Sequence, residues 1–225
     1  MSDIFREVDE EIRHERYKRL WDRFGPWLIA LALVVVVGTA AYRGWLYWLE
    51  TEAQKSGDVF IKASELAEDG KLAEAQELLA SLTDAQGGYP ALATLRAAGV
   101  QAEAGDKAEA MAAFDAFAAS SGEDALLRNV ARLRAGYLAL ELGDFTGAAD
   151  RLEPLTGPDS AWRFLAGEAL ALAAWKNGNS AEARRRIEEI TESAEAPSDV
   201  VARVGTVLDL LNAAEGTPDK KAESQ

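Results

Sequence analysis

Two hydrophobic patterns divide this chain. From Phe24 to Tyr42 there are 19 residues without a charge, including four consecutive valines, so no face of a helix drawn there is polar. At about 1.5 Å of rise per residue, roughly 20 helical residues cross a hydrocarbon layer about 30 Å thick. The run predicts a membrane span over 24–49, with aromatic residues at both ends: Trp21 and Trp27 before it, Tyr42, Trp45, Tyr47 and Trp48 after it. Amphipathic rings of this kind suit headgroup depth. A cleaved signal peptide is the competing reading, since Gly38, Thr39, Ala40 and Ala41 resemble a cleavage site. The long, mixed-charge segment before the run, FREVDEEIRHERYKRLWDRF, is unlike a short basic leader and favours a retained span.

Beyond the span the pattern changes to short amphipathic helices with a repeating order. The segments DGKLAEAQELLASL, AGDKAEAMAAFDAF, LGDFTGAADRLEPL and NGNSAEARRRIEEI align on Gly70, Gly105, Gly143 and Gly178, spaced by 35, 38 and 35 residues. Five residues after each glycine stands an alanine: Ala75, Ala110, Ala148 and Ala183. Four residues later comes a larger apolar residue (Leu79, Phe114, Leu152, Ile187), and three later another (Leu82, Phe117, Leu155, Ile190). Offsets of 0, 4 and 7 lie on one helical face. Seven residues before each glycine the residue is small: Ala63, Ala98, Gly136 and Ala171. This order predicts a helix hairpin. The glycine ends the first helix in a conformation costly for other residues, and the two small residues let the helices approach closely.

The small–Gly–Ala-x3-apolar order and the period near 34 resemble tetratricopeptide repeats. The match is degenerate: Val59, Thr94, Arg132 and Gly167 replace the consensus large aromatic, and Leu66, Gln101, Ala139 and Ala174 replace its tyrosine. The expected fold is all-α: one N-terminal transmembrane helix, then an α-solenoid of about four degenerate hairpins with a capping helix from Pro197. The domain boundaries follow as a charged cytoplasmic segment (1–23), the span with its interfacial aromatics (24–49), the repeat domain (50–214) and a polar, disordered tail (215–225). Between span and repeats the sequence stays helical in character, with Gly57 as the one expected break.

Charge supplies a direction. Arg13, Arg16, Lys18, Arg19 and Arg23 closely precede the span, whereas only Arg43, Lys55 and Lys62 follow within twenty residues. Positive charge stays on the cytoplasmic side, so the N-terminus is expected inside and the repeat domain outside. The formal charge is −14, and residues 1–43 balance to zero, so the repeat half carries the whole excess. Such a surface repels phosphate and argues against nucleic-acid binding, while serving solubility.

Chemistry is sparse. There are no cysteines, which excludes disulfides, thiol catalysis and thiolate metal sites. The single histidine, His14, sits among charged residues and has no companions for a metal site. No glycine-rich phosphate loop, nucleophile elbow or HExxH motif occurs. Glu182–Arg186, Arg184–Glu188 and Arg185–Glu189 have the i,i+4 spacing of a solvated, ion-paired face, with the triplet Arg184–Arg186 as an alternative anionic docking spot. No enzyme, metal or cofactor is expected.

The span followed by RGWLYW, and the stretches YPALATLRAAGVQAEAGDKAEAMAAF, RNVARLRAGYLALELGDFTGAADRL and AWRFLAGEALALAAWKNGNSAEAR, together resemble the YfgM-like family. Tyr89–Ala93 and Gly167–Leu170 carry the resemblance beyond generic repeats. It implies a bacterial inner-membrane protein with a periplasmic repeat domain, associated with the SecYEG translocon and with periplasmic chaperones. It implies no cofactor and no small-molecule substrate. It transfers no defined binding residues.

Repeat stacks present a concave surface lined by their first helices. In the tetratricopeptide register, Leu95, Leu133, Tyr137, Leu140, Leu172 and Trp175 would face that groove. They are mostly apolar, which suits a nascent polypeptide segment or a partner helix; the alternative is that they are core covered by the next repeat. The leading functional expectation is a non-enzymatic, membrane-anchored module that receives or shields translocated polypeptides. The alternative is an assembly scaffold for another envelope or division complex.

Overall fold

The computed structural model describes the backbone of residues 3–215 and the side chains of Lys18 and residues 21–214. The expectations for His14 and for the tail from residue 216 therefore lie outside the described residues. Among the described residues there are nine α-helices, one 3-10 turn and no strand: α1 Asp3–Glu68, α2 Leu72–Ala80, α3 Tyr89–Glu103, α4 Lys107–Ala119, α5 Ala125–Glu141, α6 Phe145–Leu152 with the 3-10 turn Glu153–Leu155, α7 Arg163–Lys176, α8 Ser180–Thr191 and α9 Ser198–Glu215. The fold is all-α. The chain divides into two compact units, residues 1–55 and 56–225.

The first unit is helix throughout its described part. Between Trp21 and Glu68, α1 is long and apolar enough to cross a membrane; its most apolar 18 residues have a mean hydropathy of 2.2, and 6% of them are buried. Polar groups inside the apolar stretch are satisfied locally: the Thr39 hydroxyl donates to the Val35 carbonyl at 2.7 Å. That is the economy a helix needs where no water can replace a missing partner. Gly25 lies against the Trp21 ring, where an added Cβ would come within 3.2 Å of it. Trp45 and Trp48 pack as a tilted pair with centroids 5.4 Å apart.

The second unit is the repeat stack. Its hairpins are the end of α1 with α2, then α3 with α4, α5 with α6, and α7 with α8, each joined through one of the four glycines. All four glycines have positive φ: 77° at Gly70, 101° at Gly105, 80° at Gly143 and 81° at Gly178. Each hairpin closes with the same pair of backbone bonds. After α5, for example, the Gly143 amide donates to the Leu140 carbonyl at 3.1 Å and the Asp144 amide to the Ala139 carbonyl at 2.9 Å. These are Schellman bonds, and they satisfy carbonyls that a helix end would otherwise leave bare. The next helix starts at once. Asp144 and Asn179 cap α6 and α8 by accepting the Gly147 and Glu182 amides at 2.9 and 3.1 Å.

Every repeat position expected to be inward is buried. The alanines Ala75, Ala110, Ala148 and Ala183 are each 0% exposed. The apolar residues four and seven further on, from Leu79 to Ile190, all lie in the core. Gly136, the smallest of the small residues, is buried against Leu152; an added Cβ would sit 2.6 Å from the Leu152 Cγ and Cδ2 atoms. α9 closes the stack, with Val200 and Val204 packed in one cluster with Ala171, Ile187 and Ile190.

One expectation is corrected. Gly57 does not break the helix; it lies inside α1 and is buried. The Tyr89 hydroxyl occupies the space a side chain would need, 2.7 Å from the position of an added Cβ. Here glycine serves close approach, not a turn: the ring of Tyr89 also packs near Phe60, with centroids 6.2 Å apart.

Candidate functional site

α3, α5 and the approach to α7 enclose a cleft of about 930 Å³ in the repeat unit. Its apolar lining comes from helical spacing. Leu92 and Leu95 stand three apart on α3, and Val130, Leu133 and Tyr137 stand three and four apart on α5, which brings each set to one face. Phe114 of α4, with Trp162 and Leu165, completes the floor. On α3 the lining passes through Gly99 and Ala102, so the helix surface there is nearly bare backbone.

Three of the groove residues expected from the sequence are brought together here: Leu95, Leu133 and Tyr137. Leu133 is 7% exposed and belongs chiefly to the core, so the cleft presents its edge. Leu140, Leu172 and Trp175 lie outside the cleft lining. Leu140 packs against the cluster of Leu152, Leu155 and Ala166. Leu172 is half-buried, and the Trp175 ring has the Lys176 ammonium 5.8 Å from its centroid. Residues that sequence reasoning missed are Arg134, Trp162, Leu165 and the bare patch at Gly99. The signal for Arg134 was available: it stands three residues before Tyr137 and four after Val130, on their shared face.

The polar rim of the cleft is almost fully paired. Arg96 bridges to Glu103 and Lys107 to Glu141, each at 2.8 Å. Arg134, exposed on the same lining, makes no hydrogen bond or ion pair among the described residues. The Tyr137 hydroxyl donates to the Leu165 carbonyl at 3.4 Å, tying α5 to α7. Burial, and secondarily the nearby Glu168 carboxylate, hold the phenol above its ordinary value of 10.0, so it stays neutral. Glu168 is itself held by Arg203 of α9 through two bonds of 2.7 Å.

The arginine triplet on α8 has internal partners. Arg186 bonds Glu182 at 2.6 Å and Glu153 at 3.0 Å; Arg185 bonds Glu182 and Glu189; Arg184 bonds Asn212 of α9. The Arg185 hydrogen bond in particular keeps Glu182 below its ordinary carboxylate value. Arg185 and Arg186 also line a second cavity of about 400 Å³, beside Arg163, Glu189 and Phe164. Arg163 is likewise taken, by Glu195. Arg184 ties α8 to α9, Arg186 ties α8 to the 3-10 turn and Arg163 ties α7 to the loop before α9, whereas Arg185 pairs within α8. No group of three or more histidine, cysteine, aspartate or glutamate residues arranged to hold a metal occurs among the described residues.

A solenoid of helix hairpins with a concave apolar cleft defines a class of protein: a repeat scaffold. Within that class, residues 18–212 match the tetratricopeptide repeat-like domain family, and the chain belongs to it. A crystal structure of a tetratricopeptide repeat protein from Parabacteroides merdae is similar, at 15% sequence identity and a TM-score of 0.56. The likeness covers 72% of this chain and 61% of that one, and it bears on the fold alone. No curated protein matches the sequence. Folds of this kind are generally non-catalytic scaffolds for protein–protein interaction.

Proposed function

We propose that this protein is a non-enzymatic, membrane-anchored module whose cleft binds polypeptide segments beside the protein translocon. In this reading α1 holds it in a bacterial inner membrane with the N-terminus in the cytoplasm. The repeat unit then works in the periplasm, where it receives or shields translocated chains together with chaperones. The observation that carries the binding part is the cleft between α3, α5 and α7. Its volume of about 930 Å³ and its floor of leucine, phenylalanine, tryptophan and tyrosine are those of a site for apolar side chains. The apolar stretch of α1 and the bases before it support the anchor and its direction. The YfgM-like resemblance supports the translocon as the neighbour.

Affinity purification of the full chain in mild detergent tests the reading. Recovery of SecYEG subunits with a periplasmic chaperone is the expected result. Recovery of a different stable envelope or division complex, without translocon subunits, would replace it with the assembly-scaffold reading.

A further inference from the structure

The rim of the cleft carries an imbalance that its apolar floor does not explain. Of the charged residues that line it, Arg96 is matched by Glu103 and Lys107 by Glu141. That leaves Arg134 as the unmatched charge of the lining, on a protein whose formal net charge is −14. Other arginines of the stack have carboxylate partners: Arg151 is bonded to Asp115 by three contacts between 2.7 and 3.2 Å, Arg203 to Glu168 and Asp199, Arg186 to Glu182 and Glu153. The lining thus carries three basic residues against two acidic ones, and the unpaired Arg134 has a charge available to a partner. Arg134 is also held in place. Its turn of α5 is packed through Leu133, Ala135, Gly136 and Leu138, all buried, so only the side chain has freedom to move.

The floor next to it sets what else the partner carries. At Gly99 an added Cβ would meet one side-chain atom, the Nη1 of Arg96, at 3.6 Å. With Ala102 one turn on, α3 offers a shallow seat where a bulky side chain can approach the backbone.

We propose that the cleft selects polypeptide segments in which an acidic side chain is flanked by large apolar ones, the carboxylate pairing with Arg134 and an apolar side chain seated over Gly99 and Ala102. This rests on the polypeptide-binding reading above and adds the chemistry of the occupant. A guanidinium facing a carboxylate across a partly dehydrated surface forms a charge-assisted, two-pronged hydrogen bond, stronger than an exposed pair. Selection follows because a lysine in the same place meets like charge, and a glutamine forfeits the ionic part.

The test uses the full chain in detergent micelles and three labelled dodecapeptides, each with two leucines and a phenylalanine around a central residue. That residue is glutamate in one, glutamine in the second and lysine in the third. Fluorescence anisotropy should show the glutamate peptide binding about two- to fivefold more tightly than the glutamine peptide, the range expected of a partly screened ion pair. Arg134→Gln should abolish that ratio, Arg134→Lys should retain part of it, and Arg134→Glu should shift the preference to the lysine peptide. Gly99→Met, which fills the seat with little disturbance of the fold, should weaken all three. Equal binding of the three peptides, or a ratio unmoved by Arg134→Gln, would overturn the acidic selection and leave the apolar cleft standing. Binding indifferent to Gly99→Met would put the peptides elsewhere and overturn the proposal. No binding by any of the three would remove both this inference and the reading beneath it.

Discussion

Replacing Gly136 by alanine is the sharpest test of how these hairpins pack. In an exposed helix interior the change would stabilise by about 1 kcal/mol, because glycine loses the most backbone freedom on folding. Here the new Cβ would lie 2.6 Å from two carbons of Leu152, which is itself 0% exposed and has no free direction to move. Overpacking of this kind costs about 1–3 kcal/mol, so the net effect should be a loss of up to about 2 kcal/mol. The sign should invert when Leu152 is truncated. Leu152→Ala alone should cost about 2–5 kcal/mol through the cavity it leaves. Added to that variant, Gly136→Ala should now stabilise, since the clash is gone and the helix-propensity gain of about 1 kcal/mol remains. Urea titration of the detergent-solubilised chain, followed by far-UV ellipticity, reads all four corners of the cycle. A Gly136→Ala variant more stable than the parent, or equal effects in both Leu152 backgrounds, would refute the close-contact account.

Other consequences are simpler. Gly105, at φ 101°, should lose about 1–2 kcal/mol on substitution by alanine, whereas Gly205, with nothing within 4 Å of an added Cβ, should be neutral or gain in the same urea assay. Glu182 is held below the carboxylate value of 4.5, so its contribution is complete above that pH and is lost as the solution is acidified through its lowered folded value. Glu182→Gln should therefore flatten the fall in stability below about pH 4.5, measured as thermal midpoints from pH 3 to 6. The Arg203–Glu168 bond couples α9 to α7 at a half-exposed site, so Arg203→Ala should cost no more than about 1 kcal/mol, and less in 0.5 M salt.

The hairpins were legible because burial and spacing are the same fact seen twice. A glycine at positive φ, an alanine where two backbones meet and a large residue one turn on recur at a nearly fixed period, and each has a local physical cause. Gly57 shows where that logic fails: glycine in a helix signals either a turn or a close neighbour, and the neighbour, Tyr89, is 32 residues away in sequence. The cleft was legible in half for a related reason. Helical spacing placed Leu95, Leu133 and Tyr137 correctly on one surface, but which first helices the stack leaves open depends on how hairpins pack on one another. Leu140 faces the Leu152 cluster, and Leu172 and Trp175 stand further along α7 than Leu165, outside the cleft lining. Arg134 was legible by its helical spacing but not by its charge. Its lack of a partner is visible only when every carboxylate around it has been assigned to someone else.

The central claim is that this cleft receives polypeptide at a membrane. Site-specific photo-crosslinking in intact cells tests it directly, with a photoreactive residue at Tyr137 in the cleft and another at the exposed Glu192 of α8 for comparison. The account predicts adducts from Tyr137 to translocon subunits, a periplasmic chaperone or chains in transit, with far fewer from Glu192. A position 137 that captures no protein, or no more than position 192 does, would contradict it.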